Sequence, residues 1–148
     1  MYGLPSEHWK AICRIFYAQK TRLRWVKLFG SRARRGRRGR LLTLNLYLDA
    51  TIQRFEFCFE LAWKLMKAVL SYEGIEVSSP RASIREGWKQ GLVQEAEAWL
   101  DMLEKRNLSA HTYNEQTAQV IYAAVKGKYF AMLAALDEEV AARWEELI

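Results

Sequence analysis

The chain has 148 residues, 51% of them hydrophobic and six of them Trp, enough for the core of one domain with or without an extension. No apolar run approaches the ~18 residues of a membrane span, Met1 to Lys10 lacks the apolar core of a signal peptide, and two cysteines, Cys13 and Cys58, are too few for a disulfide framework or a cysteine zinc site. The composition therefore reads as a cytoplasmic protein with reduced, buried thiols. The net charge of +6 is unevenly spread: residues 1–48 carry twelve Lys or Arg against one acid, Glu7, and residues 49–148 carry eleven against sixteen. A basic arm thus precedes an acidic body. Such an arm suits RNA, DNA or an acidic partner chain, or is simply a solvated, frayed segment.

Pro5-Ser6-Glu7 has the form of a helix start, and Trp9, Ile12, Cys13, Phe16 and Tyr17 follow at helical spacing, predicting a short amphipathic helix over 6–19. Leu23 to Phe29 is rich in β-formers and predicts one strand, although a lone strand has no partner here. Leu28-Phe29-Gly30-Ser31-Arg32-Ala33-Arg34 resembles the strand-and-turn signature of minimal nucleotidyltransferases. The resemblance implies that the Gly30-Ser31 turn corresponds to one that holds nucleotide phosphates, with an Asp-x-Asp metal pair following about ten residues later. No acid follows until Asp49, however, and the sequence contains no Asp-x-Asp. The resemblance covers roughly residues 4–40 and implies a remnant that does not transfer nucleotides by itself. Arg32, Arg34, Arg35, Arg37, Arg38 and Arg40, interleaved with glycine, predict a mobile nucleic-acid-binding loop. The expected boundary is therefore a remnant and basic loop over 1–40, then a helical domain over 41–148.

From about Leu41 to Tyr72, Ile52, Phe55, Phe59, Trp63, Met66 and Leu70 recur every three or four residues, predicting a long helix stopped at Glu73-Gly74. Its aromatic stripe suits a core better than a nucleotide pocket. Glu60 and Lys64 form a favourable i,i+4 pair. Ser79-Pro80 starts a short helix through about Lys89, ended by Gly91. A third helix is expected from about Gln94 to Asn107. Asn114 caps a last one whose apolar surface runs from Ala118 through Tyr129 to Trp144. Gly127 lies inside that last helix at a cost of about 1 kcal/mol against Ala, which close packing would explain. The large apolar surplus, including Trp63, Trp99 and Trp144, predicts a homodimer. The architecture expected is all-α: an up-down four-helix-type bundle with a short helix, strand and basic-loop extension at its front.

Arg106-Asn107-Leu108-Ser109-Ala110-His111-Thr112-Tyr113 concentrates polar chemistry in this apolar chain. An imidazole moves protons near neutral pH, and a guanidinium grips phosphate with a fork of donors. The same residues equally suit a helix end followed by a new cap. Five residues of continuous helix place Arg106 and His111 about 140° apart. For both to meet one phosphate, either the helix ends or bends near Leu108 to Ala110, or the site is composite, with His from one protomer near Arg from another.

The stretches IQRFEFCFELAWKLMK, YEGIEVSSPRASIREGWKQGL and WLDMLEKRNLSAHTYNEQTA resemble the helical nucleotidyltransferase substrate-binding family, within the HEPN superfamily, over about residues 49–136. The resemblance implies a dimerising four-helix domain and a minimal nucleotidyltransferase as partner. It also implies that many relatives are toxins with metal-independent ribonuclease activity, needing no cofactor. The superfamily motif is Arg, four residues, His, often extended to His-x-Tyr. Arg106, His111 and Tyr113 match it, and Asn107 matches the frequent polar residue after the Arg. The roles implied are catalysis for Arg106, His111 and Asn107, and modification by the partner for Tyr113. The alternative is a non-catalytic subunit that recruits the nucleotidyltransferase or its substrate.

Overall fold

A computed structural model of the chain describes residues 37–111 and 114–147. The helix expected over 6–19, the strand over 23–29, the Gly30-Ser31 turn and Arg32, Arg34 and Arg35 lie outside the described residues. Those described are all-α. The elements are α1 (Arg37–Tyr72), α2 (Pro80–Lys89), α3 (Ala96–His111), α4 (Glu115–Ala124), a π-helical turn (Val125–Tyr129) and α5 (Phe130–Leu147). No helix among them is long and apolar enough to cross a membrane.

The long helix α1 is the pillar of the bundle, in contact with every other helix. Its 36 residues span roughly 54 Å at 1.5 Å per residue. Ile52, Phe55, Phe59, Ala62, Met66 and Leu70 are buried at helical spacing, as the sequence pattern requires of a core stripe. α1 begins at Arg37, so Arg37, Arg38 and Arg40 belong to its first turns rather than to the mobile loop expected there. Arginine is a good helix former, and Gly39 alone does not stop a helix that continues into so long a core stripe. At the other end Gly74 adopts φ +85°, the amide of Ile75 donates to Leu70 O (2.8 Å) and that of Gly74 to Ser71 O (3.0 Å), the crossed pair of a Schellman stop.

α2 starts as the sequence predicts. The Ser79 hydroxyl accepts from the amide of Ala82 (3.2 Å), with Pro80 at the first helical position. It ends at Gly91 (φ +73°) with a second Schellman pair, Leu92 N to Gly87 O (2.8 Å) and Gly91 N to Trp88 O (3.0 Å). One guanidinium ties the elements together at this end: Arg143 donates to Glu139 (2.9 Å), to Glu73 (3.0 Å) and to the carbonyl of Gln90 (2.6 Å). It thereby links α5, the end of α1 and the cap of α2.

α3 runs back along α1: Arg106 meets Glu60, and Ser109 meets Glu56. α4 and α5 then run the other way, with Lys128 beside Glu95 and Tyr129 beside Asp101. The rods are therefore up, down and up. Asn114 caps α4, its side chain accepting from the amide of Thr117 (2.7 Å). The last helix is not uniform as expected. The apolar positions Ile121, Val125, Tyr129 and Leu133 are four residues apart, and in a 3.6-residue helix those three steps would swing the stripe by about 120°. The wider π turn absorbs that drift. Gly127 sits in it, and a Cβ there would meet nothing within 4 Å, so close packing is not its reason. Trp99, counted among the aromatics that a single bundle could not cover, is buried within this one at 2% exposure. Cys58 is buried as well, and desolvation pushes its thiol up to about 11, with Arg54 opposing.

Candidate functional site

The core stripe of α3, Trp99, Met102 and Leu103, continues at the same spacing into Arg106 and Ser109. That continuation turns both residues toward α1. There Glu56 and Glu60, one turn apart, flank the buried Phe55 and Phe59 and reach α3. Arg106 Nη2 lies 3.5 Å from Glu60 Oε2, and Nη1 donates to Asn107 Oδ1 at 3.3 Å. The Ser109 hydroxyl faces two acceptors, the Glu56 carboxylate and Arg106 O (2.8 Å). Glu60 is also paired with Lys64 at 3.2 Å, as the sequence predicts. Burial pushes the Glu60 carboxyl up, but Trp63, Lys64 and the Arg106 charge outweigh it and hold it below the usual carboxylate range. Two donors near this carboxylate, Arg106 Nε and Trp63 Nε1, are buried without a partner in hydrogen-bonding geometry.

His111 is the last residue of α3 and is exposed, as is Asn107. The helix reaches it without a break, four residues beyond the end expected at Asn107. Leu108 and Ala110 favour helix, and the Ser109 hydroxyl finds its partners inside the bundle instead of capping a stop. Arg106 and His111 therefore project about 140° apart, about 7.5 Å along the axis. Within one chain the structure does not aim them at a common point by bending the helix. Arg106 faces α1, and His111 faces outward on a sector shared with the exposed Leu108. Tyr113 lies outside the described residues. Arg37, Arg38 and Arg40 are placed on α1, away in sequence from this seam.

Glu60, Glu56 and Ser109 are partners that the sequence reading assigned no place at the site. The i,i+4 spacing pairs Glu60 with Lys64 and carries no sign of Arg106. The signal available was that Arg106 and Ser109 prolong the buried stripe of α3, which requires polar partners on whatever helix they meet. Among the described residues no three His, Cys, Asp or Glu side chains group as metal ligands.

The sequence profile of the family described as "Nucleotidyltransferase substrate binding protein like" matches residues 37–142. Among characterised sequences, a Haemophilus influenzae protein named probable ribonuclease HepT is 33% identical over 83 residues. That match covers 53% of this chain and 57% of the relative, so the chain spans little more than half of that protein's length. Among solved structures, one from Thermus thermophilus is 33% identical with a TM-score of 0.60, covering 84% of this chain and 97% of that one. A second, from Haemophilus influenzae, described as having the fold of a substrate binding domain of a nucleotidyltransferase, shares the fold at 21% identity. Its TM-score is 0.63, over 89% of this chain and 96% of that one.

Proposed function

Because the chain belongs to the nucleotidyltransferase substrate binding protein like family, we propose that it is the HEPN-type partner of a minimal nucleotidyltransferase and cleaves RNA without a metal ion through Arg106 and His111. The observation that carries this reading is the unbroken end of α3, which sets Arg106 and His111 on different sides of one helix, so that a shared site calls for a second chain. A second copy completes the site. Leu108, 43% exposed beside His111, gives the two copies an apolar element on the meeting face. The likeness to a probable ribonuclease supports the choice of RNA.

In such a dimer two His111 imidazoles share one cleft. One takes the proton of a ribose 2′-hydroxyl as that oxygen attacks the neighbouring phosphorus. The other gives a proton to the departing 5′-oxygen, leaving a 2′,3′-cyclic phosphate. Arg106 holds the charge gathering on the phosphate oxygens, and the exposed Asn107 amide, already beside its Nη1, adds a donor. Glu60 restrains the guanidinium until phosphate competes for it. The basic residues Arg32, Arg34, Arg35, Arg37, Arg38 and Arg40 add sequence-indifferent affinity.

Tyr113 is the control point in this reading. A nucleotide attached there by the partner enzyme brings negative charge and bulk within two residues of His111, competing with substrate for Arg106. The test is RNA cleavage by the purified protein in EDTA, beside His111→Ala and beside protein treated with ATP, Mg²⁺ and a complete partner enzyme. Cleavage by the wild type alone is expected. Absence of cleavage by every form makes the chain a non-catalytic substrate-binding subunit.

A further inference from the structure

We propose that the outer face of α2 is a single-stranded RNA track, on which Trp88 stacks a base while Arg81 and Arg85 hold the adjoining phosphates. The choice of ligand rests on the reading of the chain as an RNA-cleaving protein, and the site itself lies outside the Arg106–His111 motif.

α2 buries Ser83, Ile84 and Gly87 and leaves Arg81, Arg85 and Trp88 in solvent. At 100° per residue, Arg85 and Trp88 fall about 40° to one side and 20° to the other of Arg81, so the three side chains form one stripe. Trp88 is 51% exposed, among the most exposed of the large hydrophobic side chains described. An indole left half in water at the end of a helix whose core face is already filled by smaller residues contributes little to folding. Neither arginine has an ion-pair or hydrogen-bond partner among the described residues, whereas Lys89 on the same helix is paired with Glu86 at 2.7 Å. The stripe itself contains no acid. Two guanidiniums without a partner among the described residues, followed on the same stripe by a free aromatic face, complement a polyanion that carries its own flat rings, which is single-stranded nucleic acid.

The helix is also held firmly enough to serve as a platform. Ser79 caps its start, Arg143 binds the Gln90 carbonyl at its end, and Gly87 seats against α1, where an added Cβ would lie 3.5 Å from Met66 Sδ. Met66 is six residues along α1 from Glu60, the partner of Arg106, a separation of about 9 Å on that helix. The α2 contact at Met66 and the Arg106 contact at Glu60 thus lie less than two helical turns apart on α1.

The experiment measures binding of a fluorescently labelled oligouridylate to the full-length His111→Ala protein by anisotropy, at several salt concentrations. Trp88→Ala, Trp88→Phe and Arg81→Ala/Arg85→Ala are each added to that background. Trp88→Ala is expected to weaken binding roughly tenfold at high salt, where the arm's contribution is screened, and Trp88→Phe to restore most of it. The double arginine variant is expected to flatten the salt dependence by about 1.4 in log–log slope, roughly 0.7 for each phosphate released. Unchanged affinity and slope in these variants overturn the proposal. So does unchanged RNA binding combined with loss of nucleotidyltransferase capture, which makes the stripe a protein interface. Cleavage is scored separately in the His111-containing protein. A protein that binds RNA through the stripe and cuts none contradicts the catalytic reading and leaves the track in place.

Discussion

Tyr129 joins three parts of the bundle through one side chain. It is buried at 1% exposure, its ring stacks on Phe55 of α1 at 5.5 Å, and its hydroxyl donates to the Asp101 carboxylate of α3. Tyr129→Phe keeps the stack and removes the hydrogen bond, and is expected to cost about 1 kcal/mol at pH 7. Burial, and the hydrogen bond and charge of Asp101, hold the phenol protonated well above the ordinary tyrosine range. A phenol raised in the folded state contributes its stability in full below the unfolded value of about 10 and loses it as pH climbs toward the folded value. In urea titrations the gap between wild type and Tyr129→Phe should therefore narrow above pH ~10; a gap that stays constant or widens contradicts the account. The sequence revealed Phe55 and Tyr129 as core by their spacing. It did not reveal the Tyr129–Asp101 or Arg106–Glu60 pairs, whose members are 28 and 46 residues apart. Periodicity reports which way a side chain faces on its own helix. The residue it meets depends on how the helices dock.

At the scale of elements, chemistry confined to a few neighbouring residues was legible. Ser79-Pro80, Asn114, Gly74 and Gly91 each start or stop a helix where the sequence places them. Three features were not. The start of α1 was hidden by a glycine-arginine composition typical of loops. The end of α3 was hidden because Ser109, a common capping residue, satisfies its hydroxyl across the bundle on Glu56. The π turn was hidden although its sign, three consecutive four-residue steps, is present in the sequence. Gly127 lies in that turn with open space around its Cα. Gly127→Ala should raise stability by about 0.5–1 kcal/mol, since Ala loses less backbone freedom on folding. A higher thermal midpoint checks this, and a lower one shows that the π turn depends on glycine.

Across the whole molecule, the charge asymmetry separates two contributions to RNA affinity. Deleting residues 1–36 removes most of the basic arm and leaves α1 whole. The truncated protein should bind RNA more weakly at low salt, with a shallower salt dependence, because fewer counterions are released. Unchanged affinity and slope exclude the arm as an RNA contact. The four-helix architecture itself was legible in the sequence, both from the helical spacing and from the resemblance over residues 49–136. The motif Arg106, Asn107 and His111 was legible in the sequence but its geometry was not, because a motif does not state whether its helix bends, and here α3 runs straight to His111. The central claim is that two chains build one cleft containing both His111 imidazoles. The direct measurement is the EDTA-resistant RNA cleavage rate at fixed total protein, as His111→Ala chains replace wild-type chains after subunit exchange. If only dimers with two intact histidines cut, the rate falls as the square of the wild-type fraction, to roughly a quarter at equal mixing. A rate that falls in simple proportion, to roughly half, means that one intact histidine suffices for each site and contradicts the claim.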